Sequence, residues 1–196
     1  MNQRHLDLGC GDKPRNPYNA QELYGVDIRS GLGAAGAMIR GADLFREPIP
    51  FEDSFFDSVS AYDFLEHIPR TAINGNQTRF PFISVMNEIW RVLKNGGRFY
   101  ASTPAYPHSA AFQDPTHVNI ITRQTHSYFT GARPMGRMYG FKGDFECIRS
   151  IPVRGGEFEY QPTSTPGWFE RLRLRRRDLR NGNSHLVWEF KAIKAV

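Results

Sequence analysis

The sequence lacks the marks of a disulfide scaffold, a membrane span or a repeat protein. Only two cysteines occur in 196 residues, Cys10 inside a Gly-flanked turn and Cys147 in an expected strand, with no paired spacing. That argues against a secreted disulfide framework and against a Cys-ligated zinc site, and it suits a reducing compartment. No apolar run approaches the roughly 18 residues a spanning helix needs, and the opening MNQRHLDLGCG has no apolar signal core before glycines break it up. A cytoplasmic protein without membrane association is therefore expected. There is no internal repeat. With 40% apolar and 23% charged residues the chain is neither disordered nor a coiled coil. At roughly 150 residues per domain, one domain spanning residues 1–196 is expected, large enough to bury a core without staples.

An excess of positive charge is missing from most of the chain. Residues 1–130 hold 12 Lys/Arg against 13 Asp/Glu, whereas residues 131–196 hold 13 against 7, so the net charge of +5 belongs to the C-terminal third. Six arginines fall between Arg171 and Arg180 with one acid, Asp178, among them. Such a run is either a solvated face or a docking site for phosphates.

Short β-branched or aromatic runs alternate with Gly/Pro turns and one amphipathic helix, which predicts an α/β sheet. Strands are expected at 5–8, 23–28, 37–40, 56–62, 98–103, 145–153 and 186–193. The helix runs from Phe82 to Lys94, with Ile83, Met86, Ile89, Trp90 and Leu93 on one stripe, and should stop at Asn95-Gly96-Gly97. Helical turns are expected at Asp63–Ile68, ended by Pro69, and at Arg123–Phe129 with Thr122 as cap.

The first strand ends in Asp7-Leu8-Gly9-Cys10-Gly11, which puts two glycines where the backbone must turn sharply and admit a ligand closely. In an open parallel sheet, ligands lie outside the carboxyl ends of the strands. Those ends carry acids: Asp27 is placed to accept from two ribose hydroxyls, and Asp43 to meet an adenine amino group. The dinucleotide fingerprint fails after Gly11, because Pro14 and Pro17 interrupt the helix that would hold a pyrophosphate and the third small residue is missing. A ligand with adenosine but no phosphates fits better, which disfavours a nicotinamide-dependent oxidoreductase.

With these residues the sequence resembles the Rossmann-like, class I S-adenosylmethionine-dependent methyltransferases of the small-molecule branch. LDLGCG is similar to their first motif, YGVDI to the ribose-binding acidic motif, ADLFREPIPFEDSFFDSVSAYDFLEHIP to the following stretch, and EIWRVLKNGGRFYASTP to the later helix and strand. The resemblance covers residues 4–104; DPTHVNIIT is similar to a subset of the family. It implies a three-layer sandwich around a mostly parallel seven-stranded sheet of order 3-2-1-4-5-7-6, for which the strand, loop, strand ending suggests an antiparallel edge. Residues 1–104 would bind the cofactor and 105–196 face the substrate. It also implies cofactor contacts from Asp7, Gly9, Cys10, Gly11, Asp27, Ile28, Asp43, Leu44, Tyr62 and Asp63, with S-adenosyl-L-homocysteine as product. The family's usual N-terminal helices are missing, and the first crossover helix is short or absent.

Methyl transfer of this kind is an in-line displacement that needs alignment, plus removal of a proton if the nucleophile is a hydroxyl. His117, in the loop after the fifth strand, is the expected base for an O or N acceptor, with Asp114 as orienting partner and His108 in the same loop. The alternative for His117 is a structural histidine that pins its loop. No metal is expected: Glu66-His67 could contribute to a site, but adjacent residues diverge around a helix. The acceptor is expected to be a small molecule. An RNA- or DNA-directed enzyme using Arg171–Arg180 is the rival, although no N-P-P-Y motif or repeated aromatic platform is present.

Overall fold

The computed structural model describes residues 2–155 and 182–194, together with Trp168, Phe169, Leu172, Arg173 and Arg176. Apart from Leu172, Arg173 and Arg176, the Arg171–Arg180 run lies outside the described residues. Seven strands form the central sheet: β1 (Arg4–Leu8), β2 (Glu22–Asp27), β3 (Ala37–Gly41), β4 (Phe56–Tyr62), β7 (Leu93–Pro104), β8 (Phe145–Val153) and β9 (His185–Ala192). Their spatial order is β3-β2-β1-β4-β7-β9-β8, which is 3-2-1-4-5-7-6 when the sheet strands alone are counted. β3, β2, β1, β4 and β7 pair in parallel. The reversed strand is β9, one place in from the edge: it pairs antiparallel with both β7 and β8, so β8 at the edge runs with the rest. The fold is mixed α/β and Rossmann-like.

Alternation along the strands separates two faces. Leu6, Leu8, Val59, Ala61, Phe99, Ala101, Trp188 and Phe190 point into the main core. Helix α1 (Pro81–Val92) covers them, burying Phe82, Ile83, Val85, Met86, Ile89 and Val92, with Pro81 at its first turn where a missing N–H costs nothing. The other face carries a smaller cluster of Tyr62, Tyr100, Val153 and Val187, with Tyr18 and Ile151 packed against it.

Helix α1 ends earlier than its stripe suggests. Leu93 is already extended and opens β7, and Asn95-Gly96-Gly97 form an irregularity in that strand, between the pairs Phe56–Leu93 and Ser58–Arg98. No helix joins β1 to β2, β2 to β3 or β3 to β4. In place of a helix, Tyr24 on β2 is covered by Phe51, Phe55 and Phe56, all edge-on to its ring at 5.3–5.6 Å. The Arg123–Phe129 turn is a 3-10 helix over Thr125–Tyr128, and Thr122 is not its cap: the Thr122 amide donates to Thr125 Oγ1. A hairpin, β5 (Ala72–Asn74) with β6 (Gln77–Arg79), closes through Gly75-Asn76. Among the described residues no helix is long and apolar enough to cross a membrane.

Candidate functional site

The carboxyl ends of β1, β2 and β4 meet at the glycine loop. Gly9 has a φ of +65°, and a Cβ there would lie 2.8 Å from Phe64, so the loop packs against the turn after β4 only because the side chain is absent. Val26 O accepts from the Gly9 and Cys10 amides, which ties the loop to β2. Gly11, also at positive φ, donates its amide to Asp27 Oδ2 at 2.8 Å. Asp27 Oδ1 accepts from the Arg29 amide and Nε. Burial would raise the Asp27 pKa, but these donors together hold it below the ordinary value, so the strand ends in a carboxylate. Ile28 beside it is 71% exposed, an apolar surface next to an acid at a ligand-facing edge.

Asp7 is placed differently from an expected ligand contact. It is 1% exposed and accepts from Ser60 Oγ at 2.6 Å and from the Arg15 amide at 2.8 Å. It thus organises the loop from within. His5, two residues earlier on the same face, bonds Ser58 Oγ at 2.7 Å and Ser60 Oγ at 2.9 Å. Because Ser60 gives its proton to Asp7, His5 Nε2 must be the donor to Ser60 and Nδ1 the acceptor from Ser58. Burial lowers the His5 pKa to about 3 and raises that of Asp7 to about 6. Tyr62 is buried beneath the Arg15 guanidinium, 4.4 Å from the ring centroid, and packs on Tyr100. Asp43 caps a turn, with Oδ1 accepting from the Phe45 amide, and Leu44 beside it is buried in the main core. Cys10 is a half-buried thiol, pushed up to about 12 chiefly by burial, and is therefore uncharged.

Past β4 the chain makes a tight 3-10 turn over Leu65–His67. Asp63, at a φ of +47°, lies within reach of His185 Nε2 at 3.2 Å. Glu66 is 1% exposed; its Oε2 accepts from Thr103 Oγ1 at 2.9 Å, while Oε1 has no partner. Burial pushes its pKa up to about 7. The Glu66 carbonyl accepts the amides of Val118 and Asn119, and so draws the loop that carries His117 against the turn. His117 Nε2 comes to 4.0 Å from Glu66 Oε1, and His117 Nδ1 is buried without a partner.

The expected pairing of Asp114 with His117 is not what the structure shows. The Asp114 carboxylate accepts from the Thr116 amide and hydroxyl, both at 2.7 Å, and the carboxylate facing His117 is that of Glu66. His108 accepts the Ala110 amide on Nδ1, which opens the short helix α2 (Ala110–Gln113). It lies outside the cleft of about 470 Å3 lined by Asp63, Glu66, Asp114, His117 and His185 among others. A larger cavity of about 780 Å3 runs along α1, away from the glycine loop.

The sequence profile of the methyltransferase domain family matches residues 6–101. Residues 6–101, on this seven-stranded sheet, are a class I S-adenosylmethionine-dependent methyltransferase domain. Solved structures with this fold include a chain from the complex between the Haloferax volcanii Trm112 methyltransferase activator and a methyltransferase, at 15% identity and a TM-score of 0.59, covering 98% of this chain and 83% of that one. A methyltransferase dependent on the same cofactor from Archaeoglobus fulgidus matches at 15% identity and a TM-score of 0.54, covering 96% and 86%. Geranyl diphosphate methyltransferase in complex with the cofactor matches at 13% identity and 0.59, covering 97% and 78%. No curated protein matches the sequence significantly.

The residues of this methyltransferase fit its cofactor. Gly9 and Gly11 turn the backbone at positive φ, and Asp27 is an ionised acceptor at the end of the next strand with exposed Ile28 beside it. Sequence reasoning missed Glu66 as the partner of His117 and missed His185 entirely. Glu66 stands in the LEH stretch, but its burial depends on a loop 50 residues further on.

Proposed function

We propose that the methyl acceptor is a small molecule with an oxygen or nitrogen nucleophile and that it enters the cleft of Asp63, Glu66, Asp114, His117 and His185. The observation that carries this reading is adjacency: Phe64, which fills the space over Gly9, sits between Asp63 and Glu66 of the cleft wall. One short turn therefore joins the glycine loop to a set of acids and imidazoles. A volume of about 470 Å3 suits a small ligand. When bound, S-adenosylmethionine supplies an electrophilic methyl on a sulfonium. Asp27 and Ile28 would hold its adenosine end, beside the turn that Gly9 and Gly11 make at positive φ. Asp7 keeps that loop in place through the Arg15 amide. His117 readies the acceptor, since it is the imidazole whose ring lies against the buried Glu66.

The test is His117→Ala, assayed as S-adenosylhomocysteine formed with an acceptor found by screening hydroxyl and amine metabolites. Turnover is expected to fall roughly a hundredfold or more while cofactor affinity in calorimetry stays within about twofold. A turnover within about threefold of wild type would make His117 structural.

A further inference from the structure

The turn after β4 and the loop after β7 bring three metal-ligating side chains together. Glu66, His67 and His117 each offer a donor atom, and these atoms lie within 4.8 Å of one another. A buried polar atom without a partner, Glu66 Oε1, belongs to this group. Buried polar atoms are nearly always satisfied, so this orphan beside two imidazoles calls for a missing partner. The gap of 4.0 Å between Glu66 Oε1 and His117 Nε2 is too long for a hydrogen bond. Two donors sharing a tetrahedral ion at about 2.0–2.2 Å stand about 3.3–3.6 Å apart, so a shift of about half an ångström closes this pair on one ion.

Hydrogen bonding also prepares His67. The Thr116 hydroxyl has one proton, which goes to Asp114 Oδ1, so toward His67 Nδ1 at 3.0 Å it can only accept. His67 Nδ1 therefore carries its proton, and Nε2 keeps the lone pair. A carboxylate behind a histidine, here relayed through a threonine, is the outer support that metal-binding imidazoles use. On Glu66, the Thr103 bond to Oε2 fixes the carboxylate and leaves Oε1 free. Among the described residues that line the cleft, three are carboxylates, Asp63, Glu66 and Asp114, and none is Lys or Arg, which favours a cation there.

We propose that Glu66, His67 and His117 bind one divalent first-row ion such as Zn2+ or Fe2+. Two imidazoles with one carboxylate favour such an ion over Mg2+, and three protein ligands leave coordination positions open. The argument that adjacent residues diverge does not hold here, because the 3-10 turn is short and the third ligand arrives from another element. The ion's role rests on the methyl-transfer reading above; its binding does not. The open position takes an acceptor hydroxyl, whose proton leaves to solvent once the oxygen is metal-bound. That oxygen then donates its pair to the methyl carbon as the carbon–sulfur bond breaks, its electrons remaining on the sulfur of S-adenosylhomocysteine.

The experiment titrates chelator-stripped full-length protein with Co2+, followed by its visible ligand-field bands, and with Zn2+ in calorimetry. Affinity for S-adenosylmethionine is measured on the same samples. One equivalent is expected to bind, with affinity falling at least tenfold in His67→Ala, His117→Ala and Glu66→Gln while cofactor affinity is unchanged. No saturable binding, or equal binding in wild type and all three variants, overturns the metal site. Intact cofactor binding in that case leaves the methyltransferase reading standing. His67→Ala guards against misfolding, because this side chain is only half-buried and rests on a surface turn.

Discussion

Asp27 performs two tasks that a single carboxylate can combine. It fixes the glycine loop through the Gly11 amide, and its second oxygen faces the Arg29 guanidinium, which is largely exposed. A surface ion pair of that kind contributes little, so ribose hydroxyls can displace the guanidinium at small cost. Asp27→Ala removes a charged acceptor worth about 1.5–3 kcal/mol and frees the loop as well. Cofactor affinity should fall about ten- to a hundredfold in calorimetry, and an unchanged affinity in the folded variant would refute the ribose role. The place of Asp27 at the end of β2 was legible in the sequence because a strand-ending acid after a glycine turn is a local pattern. The Glu66–His117 pairing was not, since two separate segments meet there through the Glu66 carbonyl.

Among the elements, α1 is the helix that carries the main core. Met86 is fully buried at its centre, so Met86→Ala should lower unfolding free energy by about 2–5 kcal/mol in urea denaturation. A loss below about 1 kcal/mol would mean that the helix repacks without a cavity. Arg91 anchors this helix to the segment before β4, donating to Glu88, Asp53 and the carbonyls of Ile49 and Phe51. The stripe of apolar residues announced α1, but the glycines at its end were misread. They accommodate an irregular strand, because Leu93 must already pair with Phe56. The β5–β6 hairpin has a local sign in the sequence, Gly75-Asn76 as a two-residue turn between short strands.

At the scale of the molecule, the buried His5–Ser60–Asp7 chain couples stability to pH. The folded-state pKa of His5, about 3, is below its unfolded 6.5, so stability from His5 is present above pH 6.5 and is lost as pH falls toward 3. Asp7 is raised from 3.8 to about 6, and it opposes that loss, adding stability as pH falls from 6 to 3.8. The two nearly cancel in the shared window. Asp7→Asn removes the opposing titration, so between pH 6.5 and 4.5 the variant should lose about 2 kcal/mol more than wild type. Parallel stability curves for the two proteins would show that the pair does not titrate as described.

The positions of the strands along the chain, the glycine turn and the acid-tipped β2 were set by local chemistry: alternation, a residue without a Cβ, and the prolines that forbid a phosphate-binding helix. Adenosine without pyrophosphate could be read from those alone. The order of the strands in the sheet was implied only by the family resemblance. Tertiary structure decided that Asp7 is sealed inside the sheet, that Tyr62 lies under Arg15, and that β9 is the reversed strand one place in from the edge. It also decided that Glu66 and His67 meet His117. Each of these depends on contacts between residues far apart in the chain, and burial and hydrogen-bond satisfaction exist only once those contacts form.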